Sequence, residues 1–347
     1  MEIDEKYMRR ALQLAKLGEG NVSPNPMVGA VIVADGKIIG EGFHRIYGEA
    51  HAEVNAVNSV VDTSLLNRAT IYVTLEPCSH YGKTPPCAKL LVEKGLKRVV
   101  VGVADPFPEV SGRGIAMLRA AGIEVTEGVL EDECRALNRK FLTAHSRRLP
   151  FVLLKWAQSA DGFIDRSRND ASEPPVVISN ALTSMWTHRE RAAVDAILVG
   201  AATARLDNPS LTVRHYPVRR QPMRVLLDAS LSVPQDCNLF AAGAPLVVYN
   251  AKKECRSDVV EWVKTDTAHL HCVLADLYRR GFTSLMVEGG ANVLSQFIEA
   301  GLWDEARVEI GAVKLHDGVK APEIHGELTK IEIHGANMVK CYAKSVK

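Results

Sequence analysis

The sequence lacks an excess of charge of either sign. Its 347 residues include 42 lysines and arginines against 41 aspartates and glutamates. Proteins that bind nucleic acid or anionic lipid draw much of their affinity from a basic surface, so neither partner is expected. The chain also has no apolar run near the roughly 18 residues that a membrane helix needs. Its first residues lack the basic and then apolar order of a signal peptide. These absences predict a cytoplasmic protein that contacts neither nucleic acid nor membrane.

Cysteines are few and odd in number. The seven are spread along the chain, whereas a secreted disulfide framework uses an even set in a short sequence. Metal binding or thiol chemistry is therefore favoured over crosslinking. The chain also lacks the Gly-x-Gly-x-x-Gly pattern of a dinucleotide-binding Rossmann unit, which argues against a dehydrogenase of that fold.

Periodic elements are present along the whole chain, and its length corresponds to about two domains at roughly 150 residues each. In the first half, strand patterns alternate with helix patterns of about ten residues. The predicted helices are 7–17, 49–60, 85–95 and 114–121. The predicted strands are 28–33, 37–43, 70–75, 98–103 and 124–128. This alternation predicts an α/β domain with a mixed or parallel sheet covered by helices on both faces.

The basic, polar segment 145–150 is typical of an exposed connection between domains. We expect one domain over residues 1–146 and a second over residues 150–347. The second half repeats the alternation, with predicted helices 181–193, 273–280 and 292–300. Its predicted strands are 151–157, 196–199, 224–227, 246–249, 284–287 and 306–315. The second domain is therefore also predicted to be α/β.

The strongest chemical pattern lies in the first domain. His51-Ala52-Glu53 opens a predicted helix, Cys78 follows a predicted strand, and Cys87 begins another predicted helix after two prolines. One imidazole and two thiolates are enough for a catalytic zinc site, which leaves the fourth position to water. Glu53 is close enough to His51 to move protons to and from such a water, as the zinc deaminases do. Because a helix N-terminus stabilises a thiolate, Cys87 is expected to gain from its position.

Two other interpretations of this pattern stay open at this point. His80 stands two residues after Cys78, so a closed structural zinc site in a nucleotide-sensing protein would have a fourth ligand. A nucleoside or nucleic-acid deaminase with a non-reductive second domain would share the motif. However, eight residues separate Cys78 from Cys87, where the usual deaminase signature has two.

Three segments carry more information than the metal pattern alone. They are Ser23-Pro24-Asn25-Pro26-Met27-Val28-Gly29, His51-Ala52-Glu53, and Glu76-Pro77-Cys78-Ser79-His80-Tyr81-Gly82-Lys83-Thr84-Pro85-Pro86-Cys87. Together they resemble the bifunctional deaminase/reductase family of riboflavin biosynthesis, in which the insertion between the cysteines differs from cytidine and tRNA deaminases. The resemblance covers nearly the whole chain. It implies an α/β protein with an N-terminal cytidine-deaminase-like α/β/α layer domain followed by a dihydrofolate-reductase-like α/β domain.

The same resemblance implies a chemistry for the first domain. Zinc would be held by His51, Cys78 and Cys87, with Glu53 as the proton carrier. The substrate would be 2,5-diamino-6-(5-phospho-ribosylamino)pyrimidin-4-one, a small phosphorylated pyrimidine that loses its 2-amino group as ammonia. The residues implied for this substrate are Asn25, His80, Lys83 and Thr84.

The second domain contains a predicted strand that runs into Glu288-Gly289-Gly290 and then a predicted helix. Paired glycines at such a junction let the backbone approach a phosphate, although tight turns use the same pattern. By the resemblance, this half is an NADPH-dependent reductase that converts the ribosyl side chain to ribityl. The residues implied for NADPH are Ala157, Thr203, Asp207, Gly290, Ala291, Asn292, Val293, Leu294, Ser295 and Gln296. Those implied for the substrate are Leu211, Arg214 and Glu288.

One segment departs from the family pattern. Val176-Val177-Ile178 stands where many members have Trp-Ile-Thr, and Pro174 stands where a serine is expected. Contacts of residues 166–178 are therefore not implied by the resemblance. Lys155 lies on the first strand of this domain, in a stretch that does match the family. The resemblance also implies a homo-oligomer, either a dimer or a tetramer.

Overall fold

Two separate β-sheets organise the chain. The computed structural model describes residues 2–81, 85–105, 112–241, 243–267 and 269–345. One sheet belongs to the unit Met1–Arg148 and the other to the unit Leu149–Lys347. Within the described ranges, no helix has the length and apolar character needed to cross a membrane.

The first unit has a five-stranded sheet with the strand order β2-β1-β3-β4-β5. Its strands are β1 (Gly29–Ala34), β2 (Lys37–Phe43), β3 (Thr70–Leu75), β4 (Arg98–Val103) and β5 (Glu124–Thr126). Its helices are α1 (Glu2–Ala15), α2 (Ala52–Asn58), α3 (Cys87–Glu93), α4 (Arg113–Ala120), α5 (Glu131–Leu137) and α6 (Arg139–Arg147). β1 pairs antiparallel with β2 and β3, whereas β3, β4 and β5 are parallel. The sheet is therefore mixed, as the alternating patterns predicted.

Helices cover both faces of this sheet. Successive strand residues point to opposite sides. Ile32 and Ile71 pack in the core formed with α2, α3 and α4, whereas Val31 and Tyr72 pack in the core formed with α1 and α5. The result is a three-layer α/β/α arrangement with one apolar core on each side of the sheet.

Two glycines in β2 determine how closely α2 approaches the sheet. A Cβ atom on Gly42 would lie 2.3 Å from the Ala56 nitrogen, and one on Gly40 would lie 2.6 Å from the Ala56 oxygen. Any side chain at either position would collide with the α2 backbone. The glycines therefore let α2 lie directly on β2, which fixes the start of the helix near His51 and Glu53.

The second unit has a ten-stranded sheet with the order β11-β12-β10-β9-β8-β13-β6-β14-β17-β16. Its strands are β6 (Phe151–Gln158), β8 (Ala196–Gly200), β9 (Met223–Leu227), β10 (Leu246–Asn250), β11 (Cys255–Arg256), β12 (Val260–Lys264), β13 (Ser284–Gly289), β14 (Glu305–Ile310), β16 (Glu327–His334) and β17 (Asn337–Ala343). A separate pair is formed by β7 (Phe163–Asp165) and β15 (Val319–Lys320). The strands from β12 to β14 in this order are parallel, and antiparallel pairs close both edges.

The helices of the second unit are α7 (Ala181–Ala192), α8 (Ala201–Asp207), α9 (Leu270–Arg279) and α10 (Ala291–Glu299). Leu154 and Trp156 of β6 pack with α9 and α10 on one face of the sheet. Leu153 packs on the other face with residues of β8 and α8. The second α/β core is therefore also two-sided.

Several predicted element boundaries are wrong. Helix α1 begins at Glu2 rather than residue 7, because its first turn is acidic and so shows no apolar period. Acidic residues there stabilise the positive end of the helix dipole. Helix α2 begins at Ala52 rather than residue 49, since His51 is its extended N-cap. Strand β14 ends at Ile310, five residues before the predicted end.

Several elements are absent from the sequence prediction, among them α5, α6, α8, β12 and the hairpin β16–β17. Helices α5 and α6 are short and bury only Cys134 and Ala144 respectively, so few apolar positions mark them. The hairpin β16–β17 turns at Gly335, which has a left-handed φ of 64°. The exposed connection predicted at residues 145–150 is also partly wrong, because α6 continues to residue 147 and Pro150 is buried.

Candidate active sites

Three metal-binding side chains converge in the first unit. His51 is the N-cap of α2, Cys78 follows β3, and Cys87 is the first residue of α3. The His51 Nδ1 atom lies 3.6 Å from Cys78 Sγ and 3.4 Å from Cys87 Sγ, and all three ligand atoms lie within 4.8 Å of one another. Tetrahedral zinc, with Zn–N near 2.0 Å and Zn–S near 2.3 Å, holds its ligand atoms roughly 3.5 to 3.8 Å apart. The donor set and its spacing therefore fit one zinc ion.

The electrostatics of the two cysteines favour a thiolate at Cys78. Its hydrogen bond with the Cys87 thiol is the main cause that lowers the pKa of Cys78. The backbone N–H of Cys87 also donates to Cys78 Sγ at 3.3 Å. The shared proton, together with burial, raises the pKa of Cys87. The start of α3 thus stabilises charge on Cys78, whereas the sequence predicted this effect at Cys87 itself.

Glu53 lies beside the metal-binding cluster in the first turn of α2. Its side chain is 3% exposed and faces the same cavity as His51 and Cys78. Burial, reinforced by the charge on Cys78, raises the pKa of Glu53 to about 7. A carboxyl group with this pKa can both accept and release a proton near neutral pH.

The cluster has the ligand count of a catalytic zinc site. In the part of the chain that the structure describes, no fourth His, Cys, Asp or Glu ligand atom joins the three. His80, the fourth ligand of the closed-site interpretation, is an exposed residue of the cavity wall. Structural zinc sites have four protein ligands, whereas catalytic ones have three and an open position. The geometry therefore favours the catalytic type.

The cavity in front of the cluster measures about 360 Å³. Of the residues that the resemblance implied for the substrate, Asn25 and His80 line it, while Lys83 and Thr84 lie outside the described residues. Sequence reasoning missed several further lining residues, among them His44, Asp105, Phe141 and His145. Phe141 and His145 belong to the unpredicted helix α6. His44 stands seven residues before His51, a spacing that carries no metal signature.

Glu76 connects the cysteine segment to the neighbouring loop. Its buried carboxylate accepts four backbone N–H groups, Oε1 from Gly114 at 2.9 Å and Ile115 at 3.3 Å, and Oε2 from Gly112 at 3.0 Å and Asp105 at 3.2 Å. These bonds satisfy the free N–H groups at the start of α4. They also hold the end of β4 at the cavity wall.

A cavity of about 280 Å³ lies in the second unit, beside the junction of β13 and α10. The implied residues that line it are Ala157, Thr203, Asp207, Glu288, Gly290 and Leu294. The implied residues outside its wall are Ala291, Asn292, Val293, Ser295 and Gln296 on α10, Leu211, and Arg214. Leu211 is buried in the apolar core and Arg214 is exposed. The segment without a family match does line this cavity, through residues 175–179.

The Gly289–Gly290 junction brings main chain close to α8. Gly289 has a φ of 127°, and the peptide bond that follows it is cis. A Cβ atom on Gly290 would lie 2.8 Å from Thr203 Oγ1. Only glycine leaves this space open, so a ligand can approach the main chain here. This feature of the cavity fits a nucleotide cofactor.

Charged side chains from distant parts of the chain meet beside this second cavity. Arg191 of α7, which sequence reasoning missed, forms a two-pronged ion pair with Glu288 at 2.6 and 2.7 Å. Burial would raise the pKa of Glu288, but the Arg191 charge outweighs it and lowers that pKa. Burial also lowers the pKa of Lys155, against the opposing charges of Glu288 and Glu309. The cavity therefore holds an ionised carboxylate close to a lysine that gives up its proton more readily than usual.

Asp207 is held in place by a buried arginine. The Arg168 guanidinium contacts the carboxylates of Asp165 and Asp207 and donates to the Leu206 and Glu173 carbonyls. These bonds occupy both terminal nitrogens and Nε of Arg168. We conclude that Arg168 orients Asp207 instead of binding a phosphate itself.

Both halves of the chain match known protein families. The family model for the cytidine and deoxycytidylate deaminase zinc-binding region matches residues 1–103, and the model for the RibD C-terminal domain matches residues 150–327. Riboflavin biosynthesis protein RibD of Bacillus amyloliquefaciens is 43% identical over 341 residues, covering 93% of this chain and 88% of the relative. The Escherichia coli protein of that name is 37% identical over 333 residues, covering 88% and 87%.

Solved structures agree over the full length. A diaminohydroxyphosphoribosylaminopyrimidine deaminase/5-amino-6-(5-phosphoribosylamino)uracil reductase from Thermotoga maritima is 36% identical, covers 99% of each chain and has a TM-score of 0.90. Acinetobacter baumannii RibD is 32% identical with the same coverage and a TM-score of 0.91. These matches confirm the predicted fold class, a cytidine-deaminase-like domain followed by a reductase domain. The chain belongs to the RibD family of riboflavin biosynthesis, enzymes that join a zinc-dependent deaminase to an NADPH-dependent reductase.

Proposed function

We propose that this chain catalyses two successive reactions of riboflavin biosynthesis on one phosphorylated pyrimidine. The first is hydrolytic deamination of 2,5-diamino-6-(5-phospho-ribosylamino)pyrimidin-4-one. The second is reduction of the ribosyl side chain, which yields 5-amino-6-(5-phospho-ribitylamino)uracil. The Thermotoga maritima protein, to which this chain is similar over its full length, carries the same pair of activities in its name. The observation that carries the proposal is the buried carboxyl group of Glu53 beside the His51, Cys78 and Cys87 cluster.

In the deamination, His51, Cys78 and Cys87 would hold the zinc ion. When bound, zinc supplies Lewis-acid activation of a water at its open position. Hydrolysis replaces the C2–N bond of the pyrimidine by a C2–O bond and releases ammonia. Glu53 accepts the proton that the water loses and passes it to the departing nitrogen, a transfer that its cavity position and raised pKa support.

Different residues are proposed to contact the two ends of the substrate. Asn25, on the loop before β1, would contact the pyrimidine ring, because it lines the cavity near His51. His80 would meet the polar or phosphorylated end, together with Lys83 and Thr84 on the same segment of chain. The balanced charge of the protein supports a small phosphorylated substrate and argues against nucleic acid as a partner.

In the reduction, the cofactor would lie along the β13–α10 junction. The residues proposed for NADPH are Ala157, Thr203, Asp207, Gly290, Ala291, Asn292, Val293, Leu294, Ser295 and Gln296. When bound, NADPH supplies a hydride to C1' of the opened sugar. The same step consumes one proton, and we propose Lys155, which lines this cavity, as its donor. Leu211, Arg214 and Glu288 are proposed for the substrate.

We also propose that the enzyme is a cytoplasmic homo-oligomer, either a dimer or a tetramer. Strand β16 ends the ten-stranded sheet, and Leu328, Ile331 and Ile333 are exposed on it. An apolar edge strand invites pairing with another chain, which supports self-association. The oligomeric state would be measured by light scattering on the purified protein.

The proposal is tested by following ammonia release and NADPH oxidation from the same substrate. Glu53→Gln should reduce ammonia release by more than about 1000-fold, because the amide cannot carry the proton. It should keep its zinc and still oxidise NADPH when given the deaminated intermediate. Glu133→Gln, at an exposed position on α5, serves as the matched control. Unchanged ammonia release in Glu53→Gln would contradict the role of Glu53, and release from cytidine or tRNA instead would favour a different deaminase.

A further inference from the structure

A hydrogen-bonded chain of three residues lies beside the deaminase cluster. His44, the residue after β2, is 2% exposed and lines the deaminase cavity. Its Nδ1 atom lies 3.1 Å from the Ala50 carbonyl oxygen, and its Nε2 atom lies 3.2 Å from Asn25 Nδ2. The imidazole therefore connects the segment before α2 to the loop that carries Asn25.

The two partners determine which ring nitrogen of His44 carries hydrogen. A carbonyl oxygen only accepts hydrogen bonds, so the Nδ1–H group donates to Ala50. An amide nitrogen only donates, so Nε2 accepts from Asn25. His44 is therefore the Nδ1-protonated, neutral tautomer, and its lone pair on Nε2 selects the nitrogen end of the Asn25 amide.

The opposite orientation of the Asn25 amide is disfavoured. If the amide oxygen faced His44, then Nε2 would have to carry the hydrogen. Nδ1 would then either point a lone pair at the Ala50 oxygen or keep its own hydrogen and leave a charged ring in a buried position. The first alternative leaves two buried acceptor atoms facing each other, and the second leaves a buried charge. Both cost free energy.

We propose that His44 is a positioning residue that turns the Asn25 amide oxygen toward the substrate. Asn25 then acts as a hydrogen-bond acceptor, so the deaminase selects a pyrimidine ring that presents an N–H or amino donor at this point of the cavity. The diaminopyrimidine has such donors on its ring edge. The inference rests on the proposed deaminase function and adds to it the direction in which the ring is recognised.

The first experiment compares two substitutions at position 44. An asparagine side chain reaches about as far as imidazole Nδ1, so His44→Asn keeps a donor for Ala50 and has no acceptor for Asn25. A glutamine reaches about as far as Nε2, so His44→Gln offers Asn25 an amide oxygen. We expect His44→Asn to raise KM for the diaminopyrimidine about tenfold, with kcat reduced less than about threefold. We expect His44→Gln to recover most of the loss.

A second experiment separates positioning from a general structural role. In an Asn25→Ala background, adding His44→Asn should change KM less than about twofold, because its target is already gone. A purely structural role would raise KM equally in both backgrounds. Binding of the diaminopyrimidine to zinc-loaded Glu53→Gln protein, with and without His44→Asn, gives the same comparison by calorimetry without turnover. Zinc content and far-UV circular dichroism should match in all variants.

The outcomes are distinguishable from those of the proposed function. Wild-type protein that releases no ammonia from the diaminopyrimidine would overturn the proposed function and this inference together. Wild-type activity with an unchanged KM and affinity in His44→Asn would overturn the inference alone. Equal losses in the presence and absence of Asn25 would do the same.

Discussion

The two sites of this enzyme are assembled in different ways. In the deaminase unit, the metal-binding atoms come from residues 51, 78 and 87 and already lie within 4.8 Å of one another. In the reductase unit, the Arg191–Glu288 ion pair joins residues 97 positions apart, and the Arg168–Asp207 contact joins residues 39 apart. The deaminase ligand set spans 36 positions and is defined by residue type, whereas the reductase cavity depends on main-chain shape and on ion pairs.

The difference follows from what each ligand requires. Zinc needs a few atoms of particular elements at bond distance, so its site can be recognised from residue types and their spacing. A dinucleotide needs a long surface of the right shape, to which many residue types contribute through the main chain. We therefore expect substitutions in the deaminase site to act in an all-or-none manner. Substitutions in the reductase site should act in graded steps.

The largest effect is expected at a metal ligand. Cys87→Ser should lose zinc and reduce ammonia release by more than about 1000-fold, because a serine hydroxyl does not replace a thiolate as a zinc ligand. NADPH oxidation with the deaminated intermediate should be unchanged. Zinc is measured by atomic absorption and the two half-reactions by separate assays. Cys255→Ser, at an exposed position in the reductase unit, is the control and should retain both activities. A full complement of zinc in Cys87→Ser would contradict its role as a ligand.

The sequence alone revealed more of the deaminase site than of the reductase site. The reason is the same difference in what the two ligands require. Sequence reasoning identified the three cluster residues and Glu53, because a metal site depends on residue identity at short spacing. It missed Arg191 and Arg168, whose partners Glu288 and Asp207 line the reductase cavity. Those contacts depend on where α7, α8, β13 and the loop after β7 lie in the folded unit, and the chain order of residues does not reveal that.

The second largest effect is expected at the Arg191–Glu288 ion pair. Arg191→Met removes the ion-pair partner of the largely buried Glu288 carboxylate, which should destabilise the reductase unit by about 3 kcal/mol. Reductase activity should fall by about 100-fold, while ammonia release is retained. Unfolding is followed by tryptophan fluorescence, because all four tryptophans lie in this unit.

Two controls test whether the effect comes from the unpaired charge. Arg279→Met breaks an exposed ion pair with Asp276 and should cost less than about 0.5 kcal/mol. The double variant Arg191→Met with Glu288→Met should regain stability without regaining activity. Equal stability of Arg191→Met and wild-type protein would show that the pair does not support this site.

A smaller effect is expected where the site depends on main-chain shape. Gly290→Ala places a Cβ atom 2.8 Å from Thr203 Oγ1, so either the Thr203 side chain must turn away or the main chain at the junction must shift. The dissociation constant of NADPH should rise about tenfold, as measured by fluorescence titration. Adding Thr203→Ala removes the colliding oxygen and should recover part of the loss. Unchanged NADPH affinity in Gly290→Ala would contradict the assignment of this junction to the cofactor.

The fold shows the same division between local and long-range information. Elements with an apolar stripe or a buried strand were predicted within a few residues, as for β3 and β4. Helices α5 and α6 are seven and nine residues long and each buries a single residue, so few apolar positions mark them. Their positions depend on packing contacts that the local periodicity of apolar residues does not indicate. Consequently Phe141 and His145, which α6 carries to the deaminase cavity, could not be found from the sequence.

The smallest effect is expected at a long-range ion pair of the deaminase unit that lies outside its site. Asp4 and Arg98 are 94 positions apart and joined by two hydrogen bonds of 2.8 and 3.0 Å. The Arg98 hydrogen bonds lower the pKa of Asp4 more than burial raises it. The folded-state pKa lies below the unfolded value near 3.9, so the stabilisation is present above that pH and is lost as pH falls through the folded pKa.

Asp4→Asn should therefore lower the free energy of unfolding of this unit by about 1 kcal/mol at pH 7. The difference from wild-type protein should shrink as pH falls below the unfolded value near 3.9 and vanish once pH has passed the lowered folded pKa. Urea unfolding of the zinc-free proteins, followed by far-UV circular dichroism at several pH values, measures this difference. The tryptophan transition of the other unit is an internal reference that should not move. Ammonia release should be unchanged, because the pair does not line the cavity. A difference independent of pH would mean that packing, and not the charge on Asp4, is what Arg98 requires.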